Sequence, residues 1–163
     1  MDAGVPQQRS LGQGGWLRVT IVGHGPSIHL GLGSVIDSYV VVRLKDGRTG
    51  GNCGTRTDYL CARSSRYDKG RYPFWLLRDQ YAEYVCPGKK PTTGLCAVLE
   101  TMARLAPAEI ALIGFDRLLH PDNPDPPNTW LAHDKWAEHE CLMSLPVRIT
   151  DLGQVCRNRQ QEP

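Results

Sequence analysis

None of the six cysteines in this sequence forms a C-x-x-C pair. No close pair has the spacing of a structural zinc site, and the thiols are scattered through predicted elements and loops. No metal is expected, and reduced thiols in a cytoplasmic protein fit better than a disulfide framework. No apolar run approaches the ~20 residues that a bilayer-spanning helix needs, so no membrane contact is expected. No charged stretch leads into an apolar core at the start, so no signal peptide is read. The G-K-[ST] of a P-loop is missing, and ATP hydrolysis is not indicated. There is no G-x-S-x-G and no readable Ser-His-Asp order. Charge of one sign is scarce too. Lys and Arg total 19 against 17 Asp and Glu, a net charge of +2, so the chain as a whole implies no polyanionic partner.

What is present is organised around Val19 to Ser27, V-T-I-V-G-H-G-P-S. An unbroken β-prone run predicts a strand buried on both faces, as in a parallel sheet under helices. Gly23 and Gly25 after it allow a tight turn and a close backbone approach to a ligand. Pro26 sets the next φ, and Ser27 caps a helix or binds an oxyanion. A plain strand-to-turn connection is the other reading. The loop lacks G-x-G-x-x-G, since Ile28 stands three beyond Gly25, which favours a mononucleotide over a dinucleotide.

At 163 residues the chain fits one domain. Residues 1–15 read as a flexible leader, 16–151 as the folded domain and 152–163 as a polar tail. Strands are expected at Ser38 to Leu44, Thr55 to Ala62, Glu109 to Gly114 and Val147 to Ile149. Phe74 to Tyr84 reads as a helix or as a strand with an irregular flank. Leu95, Val98, Leu99, Met102 and Leu105 fall at helical spacing, with Thr92 or Thr93 as cap and Pro107 beyond the end. A second helix runs from about Asp134 to Met143, with Glu138 and Glu140 on its surface. Four prolines between Leu118 and Thr129 exclude a helix there, and a loop of that length suits a lid. The order of elements predicts an α/β sandwich with a mostly parallel sheet.

Chemistry concentrates at a few positions. Thr92, Thr93 and Gly94 open a helix, where free N–H groups favour an anion, although ordinary capping explains them equally. His133, between the proline-rich loop and a helix start, suits general acid or base work; a structural role is the alternative. His24 sits inside the Gly loop, and His29, His120 and His139 have weaker cases. Arg63, Arg66, Lys69, Arg71 and Arg78, interleaved with Tyr67, Tyr72, Phe74 and Trp75, form a basic aromatic patch that suits a phosphate-rich or aromatic acceptor, or is a solvated face.

Taken together, these blocks resemble the sialyltransferases, both the animal-type family and related bacterial and phage proteins. V-x-I-V-G-H-G-P-S looks like the family's opening strand and G-N-G-P-S loop. V-V-V-R-L followed by G-T-R-T-D is similar to its V-V-R-L-N and G-x-[KR]-T. T-T-G-L-C-A-V-L-E and I-A-L-I-G-F-D resemble its [ST]-[ST]-G helix and G-F strand, and A-H-D-K-W-A-E-H-E resembles its late His block. The resemblance implies a Rossmann-like variant of the GT-A-type glycosyltransferase fold in a single domain. It also implies an inverting, metal-independent enzyme with no cofactor, moving a sugar from a CMP-activated, sialic-acid-type donor to a glycan or other hydroxyl acceptor. Gly23, His24, Gly25, Pro26 and Ser27 would line the donor site, with Arg43 and Lys45 near the nucleotide. Thr92, Thr93 and Gly94 would hold the cytidine or phosphate, and His133 would be the base. His24 and Lys45 stand where Asn is usual. The loop before His133 has no Tyr for the phosphate, for which Lys45, Arg117 or His120 are the candidate substitutes. The alternatives are a non-catalytic nucleotide-binding module and a glycosyltransferase acting on nucleic acid.

Overall fold

The computed structural model describes residues 17–77, 81, 88–123 and 133–160. The expected leader, Arg78, Cys86, most of the segment between Phe74 and Tyr84 beyond its first residues, and the proline-rich stretch from Pro124 to Ala132 lie outside them.

Six strands form one all-parallel sheet: β1 (Arg18–Val22), β2 (Val40–Leu44), β3 (Tyr59–Ala62), β4 (Phe74–Leu76), β5 (Glu109–Ile113) and β6 (Arg148–Asp151), in the order β4-β3-β2-β1-β5-β6. Successive side chains of a strand point to opposite faces, so a sheet covered on both sides needs apolar residues at every position. On β1, Val19 and Ile21 enter one core together with Leu95, Val98 and Leu99 of helix α2 (Thr93–Leu105). Val22 enters the other with Ile36 of α1 (Gly33–Asp37). The two cores lie on opposite faces of the sheet and together make the Rossmann-like α/β sandwich that the strand pattern predicts. Among the described residues three more α-helices follow: α3 (Asp116–Leu119), α4 (Lys135–Met143) and α5 (Leu152–Gln160).

Three local differences have physical causes. The third strand begins at Tyr59, not Thr55. Thr55 and Arg56 instead donate their backbone N–H groups to the Asp37 carboxylate at 2.8 and 3.0 Å, which wraps this stretch around the end of α1. Trp75 is buried and lies 4.6 Å from the Tyr59 ring, so it belongs to the core and not to the basic patch. The segment read as a polar tail forms α5. Leu152 enters the second core, the Asp151 side chain accepts from Gln154 N at 3.0 Å, and Arg157 pairs with Asp116 and Asp151, so one apolar anchor, a cap and ion pairs hold a helix with no long apolar stripe.

Candidate active site

The sheet reverses its order between β1 and β5, each parallel to the other. In open α/β sheets, ligands bind in the crevice beyond the carboxyl ends of the strands at such a reversal. The loops that follow β1 and β5 are sewn together there. Gly23 N donates to Ile113 O at 2.8 Å and Gly25 N to Gly114 O at 2.9 Å. A Cβ on Gly23 would lie 2.4 Å from the Gly114 oxygen, and one on Gly25 would lie 2.3 Å from Asp116 Oδ2. The glycines therefore serve the contact between the two loops, and the approach they permit is to Gly114 and Asp116. Ser27 completes the seam. Its Oγ donates to Asp116 Oδ2 at 2.8 Å and accepts from Gly114 N at 2.8 Å, while its own N–H donates to Asp116 Oδ2 at 3.1 Å.

A cavity of about 640 Å³ opens at this crevice. His24, Gly25, Pro26, Lys45, Thr92, Thr93, Gly94 and His133 all line it, so eight positions singled out in the sequence converge on one space. Gly23, Ser27 and Arg43 do not line it. Gly23 and Ser27 sit beneath it in the seam. Arg43 is fully buried, with its guanidinium donating to the carbonyls of Arg48, Cys53 and Arg56. The expected place for Arg43 beside a nucleotide is thus corrected: every direction of its fork faces the 48–57 loop.

The wall on the β2 side carries His24. Its Nε2 donates to the Leu44 carbonyl at 3.0 Å and lies 3.3 Å from Asp46 Oδ1. The opposite wall is built from the start of α2 and the start of α4. Thr92 caps α2, its Oγ1 accepting from Leu95 N at 3.2 Å. Its N–H and hydroxyl also donate to the two oxygens of Glu138, at 2.9 and 2.5 Å. Glu138, expected on the surface, is fully buried, and its carboxylate already occupies the position that the N-terminus of α2 offers to an anion. Of the Thr-Thr-Gly set, Thr92 is therefore an internal clamp, and Thr93 and Gly94 face the cavity beside it.

Burial pushes the Glu138 carboxyl above its ordinary value of 4.5, and the Thr92 bonds and His133 only partly oppose it. A raised folded-state pKa contributes stability below the ordinary value, and this is lost as the pH rises through the folded-state value. Glu138→Gln keeps the shape and both contacts to Thr92, because the hydroxyl can turn to accept from the amide. The melting temperature of wild type relative to Glu138→Gln is therefore expected to fall as the pH rises from about 4.5 toward neutrality. Parallel curves over that range would show that Glu138 titrates alike in both states.

His133 stands where α4 begins. Its Nδ1 lies 2.5 Å from the Lys90 carbonyl and 3.9 Å from Glu138 Oε1. A carbonyl only accepts, so Nδ1 carries the proton and the basic lone pair of the neutral ring is on Nε2. Lys45, Lys89, Arg117 and Lys135 also line the cavity, as does Asp116, tied to Ser27. Half-exposed Trp136 adds an aromatic wall. The Gly114-Phe115-Asp116 loop, which the sequence marks as a candidate beside Gly23–Ser27 and Thr92–Gly94, lines the cavity, whereas sequence reasoning passed over Lys89, Lys135, Trp136 and Glu138 as site residues. The one available signal was the position of Glu138, one helical turn into the helix that His133 introduces. Burial raises the thiols of Cys61 and, to about 11, Cys96, which makes both poor nucleophiles.

No protein-family model matches the chain, and no curated protein matches it. A solved structure of a mammalian sialyltransferase superposes with a TM-score of 0.55 at 18% identity, covering 82% of this chain and 68% of that one. The chain shares the Rossmann-like α/β fold of that structure, built here on a six-stranded all-parallel sheet. At that identity the likeness concerns the path of the backbone and leaves the chemistry to be argued from the side chains. Among the described residues no group of three or more His, Cys, Asp or Glu side chains is placed to hold a metal, and no helix is long and apolar enough to cross a membrane.

Proposed function

We propose that the chain is an inverting, metal-independent glycosyltransferase that moves a sugar from a CMP-activated, sialic-acid-type donor to an acceptor hydroxyl. The observation that carries this reading is the placement of His133. Its proton is fixed on Nδ1 by the Lys90 carbonyl, and it lines the cavity that the β1 and β5 loops open at the sheet reversal. An acceptor hydroxyl gives its proton to Nε2 while its oxygen attacks the anomeric carbon. The bond from that carbon to the phosphate oxygen breaks, and its electron pair leaves with CMP. The charge that builds on the departing phosphate needs cations nearby, and Lys45, Lys89, Arg117 and Lys135 line the cavity. Trp136 offers a flat apolar surface to a base, and Thr93 with Gly94 offers polar backbone and hydroxyl groups.

The test is a thermal-shift series over nucleotides. A ligand that binds only the folded form at about 100 times its Kd stabilises by about 2.7 kcal/mol. For a chain of this size that is a rise of roughly 5–10 °C in melting temperature. CMP is expected to give such a rise, and CMP-sialic acid is expected to be consumed in the presence of an acceptor. Stabilisation by UMP, GMP or AMP without CMP would refute the donor. A CMP shift with no consumption of any CMP-sugar would favour the non-catalytic binding module.

A further inference from the structure

The turn that ends β2 holds a lysine in a backbone conformation that lysine rarely adopts. Lys45 has a φ of 54°, in the left-handed region that suits Gly or Asn and strains a longer side chain. Two contacts keep it there. Its N–H donates to the Cys61 carbonyl at 2.8 Å, and Gly47 N closes the turn onto the Leu44 carbonyl at 3.1 Å. The exposed side chain lines the cavity, and among the described residues its ammonium has no hydrogen-bond or ion-pair partner. The same turn fixes His24. The Leu44 carbonyl at 3.0 Å and Asp46 Oδ1 at 3.3 Å both accept, so they keep a proton on Nε2. Nδ1 has no partner among the described residues, which makes it the polar atom that this cavity-lining ring still has for a ligand.

We infer that His24 and Lys45 form the subsite for the nucleotide's phosphate, and that His24 binds it as the imidazolium through Nδ1–H. The inference rests on the nucleotide-donor reading above. In doubly wound sheets the phosphate lies against the Gly-rich loop after the first strand, and His24 is part of that loop. A neutral ring protonated on Nε2 would turn a lone pair toward the phosphate, which repels it. A second proton, taken from solvent onto Nδ1 as phosphate binds and returned as it leaves, makes the contact a charge-assisted hydrogen bond. Asp46, against Nε2–H, is placed to offset the charge that the ring then carries. Lys45 meets a second phosphate oxygen. A strained residue facing a cavity fits this role, since strain is retained where a ligand uses the side chain.

The experiment titrates CMP, cytidine, UMP and CMP-sialic acid into wild type, Lys45→Asn, His24→Asn and Asp46→Asn from about pH 5.5 to about pH 8, with a melting curve for each protein. Lys45→Asn is expected to melt at or above wild type, because Asn suits the left-handed region, and to bind CMP at least about tenfold more weakly. His24→Asn should bind CMP at least about tenfold more weakly near pH 5.5, with the gap narrowing toward pH 8. The other charged groups around the ring are Asp46 and Arg48 on its own wall, Asp116 and Arg117 beyond β5, and Lys89, His133, Asp134, Lys135 and Glu138 opposite. They are common to both proteins, as is the titration of the phosphate, so the ratio of affinities isolates His24. Asp46→Asn gives a test of sign. A carboxylate that only repels the anion would, on removal, tighten CMP. One that supports the imidazolium should weaken it by roughly two- to threefold, and have no further effect in His24→Asn. Cytidine binding should be equal in all four proteins. Unchanged CMP affinity in Lys45→Asn or His24→Asn overturns the proposal, as does a gap that is constant with pH, or tighter CMP binding by Asp46→Asn. A loss confined to CMP-sialic acid assigns the wall to the sugar carboxylate and overturns it too. The same dependence on both residues for UMP, in a protein that does not bind CMP, keeps the phosphate subsite and overturns the cytidine donor.

Discussion

His133→Ala is expected to transfer sugar at least about a hundredfold more slowly while binding CMP almost as wild type does. A sugar hydroxyl is a weak nucleophile near neutral pH, and removing a positioned general base commonly costs ~10²- to 10⁴-fold. On the proposed reading the nucleotide rests against other lining residues, on the β1 and β5 loops and at the start of α2, so the loss should fall on turnover and not on donor affinity. The ring also holds the Lys90 carbonyl, so part of any effect could come from loosening the 88–91 loop. His133→Asn separates the two roles. An asparagine amide can still donate to Lys90 O but has no basic nitrogen. If His133 is the base, both variants lose turnover and the asparagine variant melts near wild type. If it only holds the loop, the asparagine variant keeps turnover. Melting temperature, kcat and donor KM of the two variants decide between these outcomes, and a folded His133→Ala protein with wild-type turnover would remove His133 from the mechanism.

The parts of this site that sequence exposes are those whose cause is local. β1, β2 and β5 are apolar at nearly every position because both faces of the sheet are covered, and that pattern is visible without coordinates. Thr92 and Asp134 cap α2 and α4 by accepting from a backbone N–H three residues on, a relation contained within a few residues. What stayed hidden depends on partners far away in sequence. Glu138 reads as a surface residue of a helix with charge all round. The two hydrogen bonds from Thr92, 46 positions away, together with nearby His133, make a buried carboxylate tolerable there. Ser27 reads as an oxyanion ligand until Asp116, 89 positions on, is seen to take its hydroxyl. The α5 helix has too few apolar residues to announce itself, because beside Leu152 and the Asp151 cap its anchors are polar contacts from Cys156 to the Leu30 carbonyl and from Arg157 to Asp116 and Asp151. Arg43 is the clearest case. In a strand, an arginine beside a Gly-rich loop looks the same whether its fork faces a phosphate or a ring of carbonyls.

Those two readings of Arg43 predict opposite orders of failure. As placed here, Nε donates to Arg56 O at 2.8 Å and to Thr57 Oγ1 at 3.1 Å, Nη1 to Arg48 O at 2.7 Å, and Nη2 to Cys53 O at 2.9 Å. Asp37 lies 3.7 Å from Nη2 and offsets part of its charge. Burial lowers the guanidinium pKa, with Cys53 and Asp37 opposing the shift, yet an arginine stays charged at any working pH. Arg43→Met fills the same space and donates nothing. The carbonyls of the 48–57 loop then lose their shared partner, and breaking a buried charged network of this kind costs about 3–5 kcal/mol. For a chain of this length that corresponds to a fall of roughly 6–20 °C in melting temperature. Arg43→Lys is expected to recover little of it, since one ammonium cannot reach carbonyls arranged around a planar fork. The effect on the site follows from the chain between. Lys45 and Asp46, the partner of His24, join β2 to the 48–57 loop, so loosening that loop should weaken CMP binding only after stability has been lost. Chemical denaturation and CMP titration of Arg43→Met below its melting range test the order. A variant that melts like wild type and no longer binds CMP would return Arg43 to the donor site. One that unfolds early and still binds CMP in its folded fraction establishes it as the brace of the cavity's β2 wall.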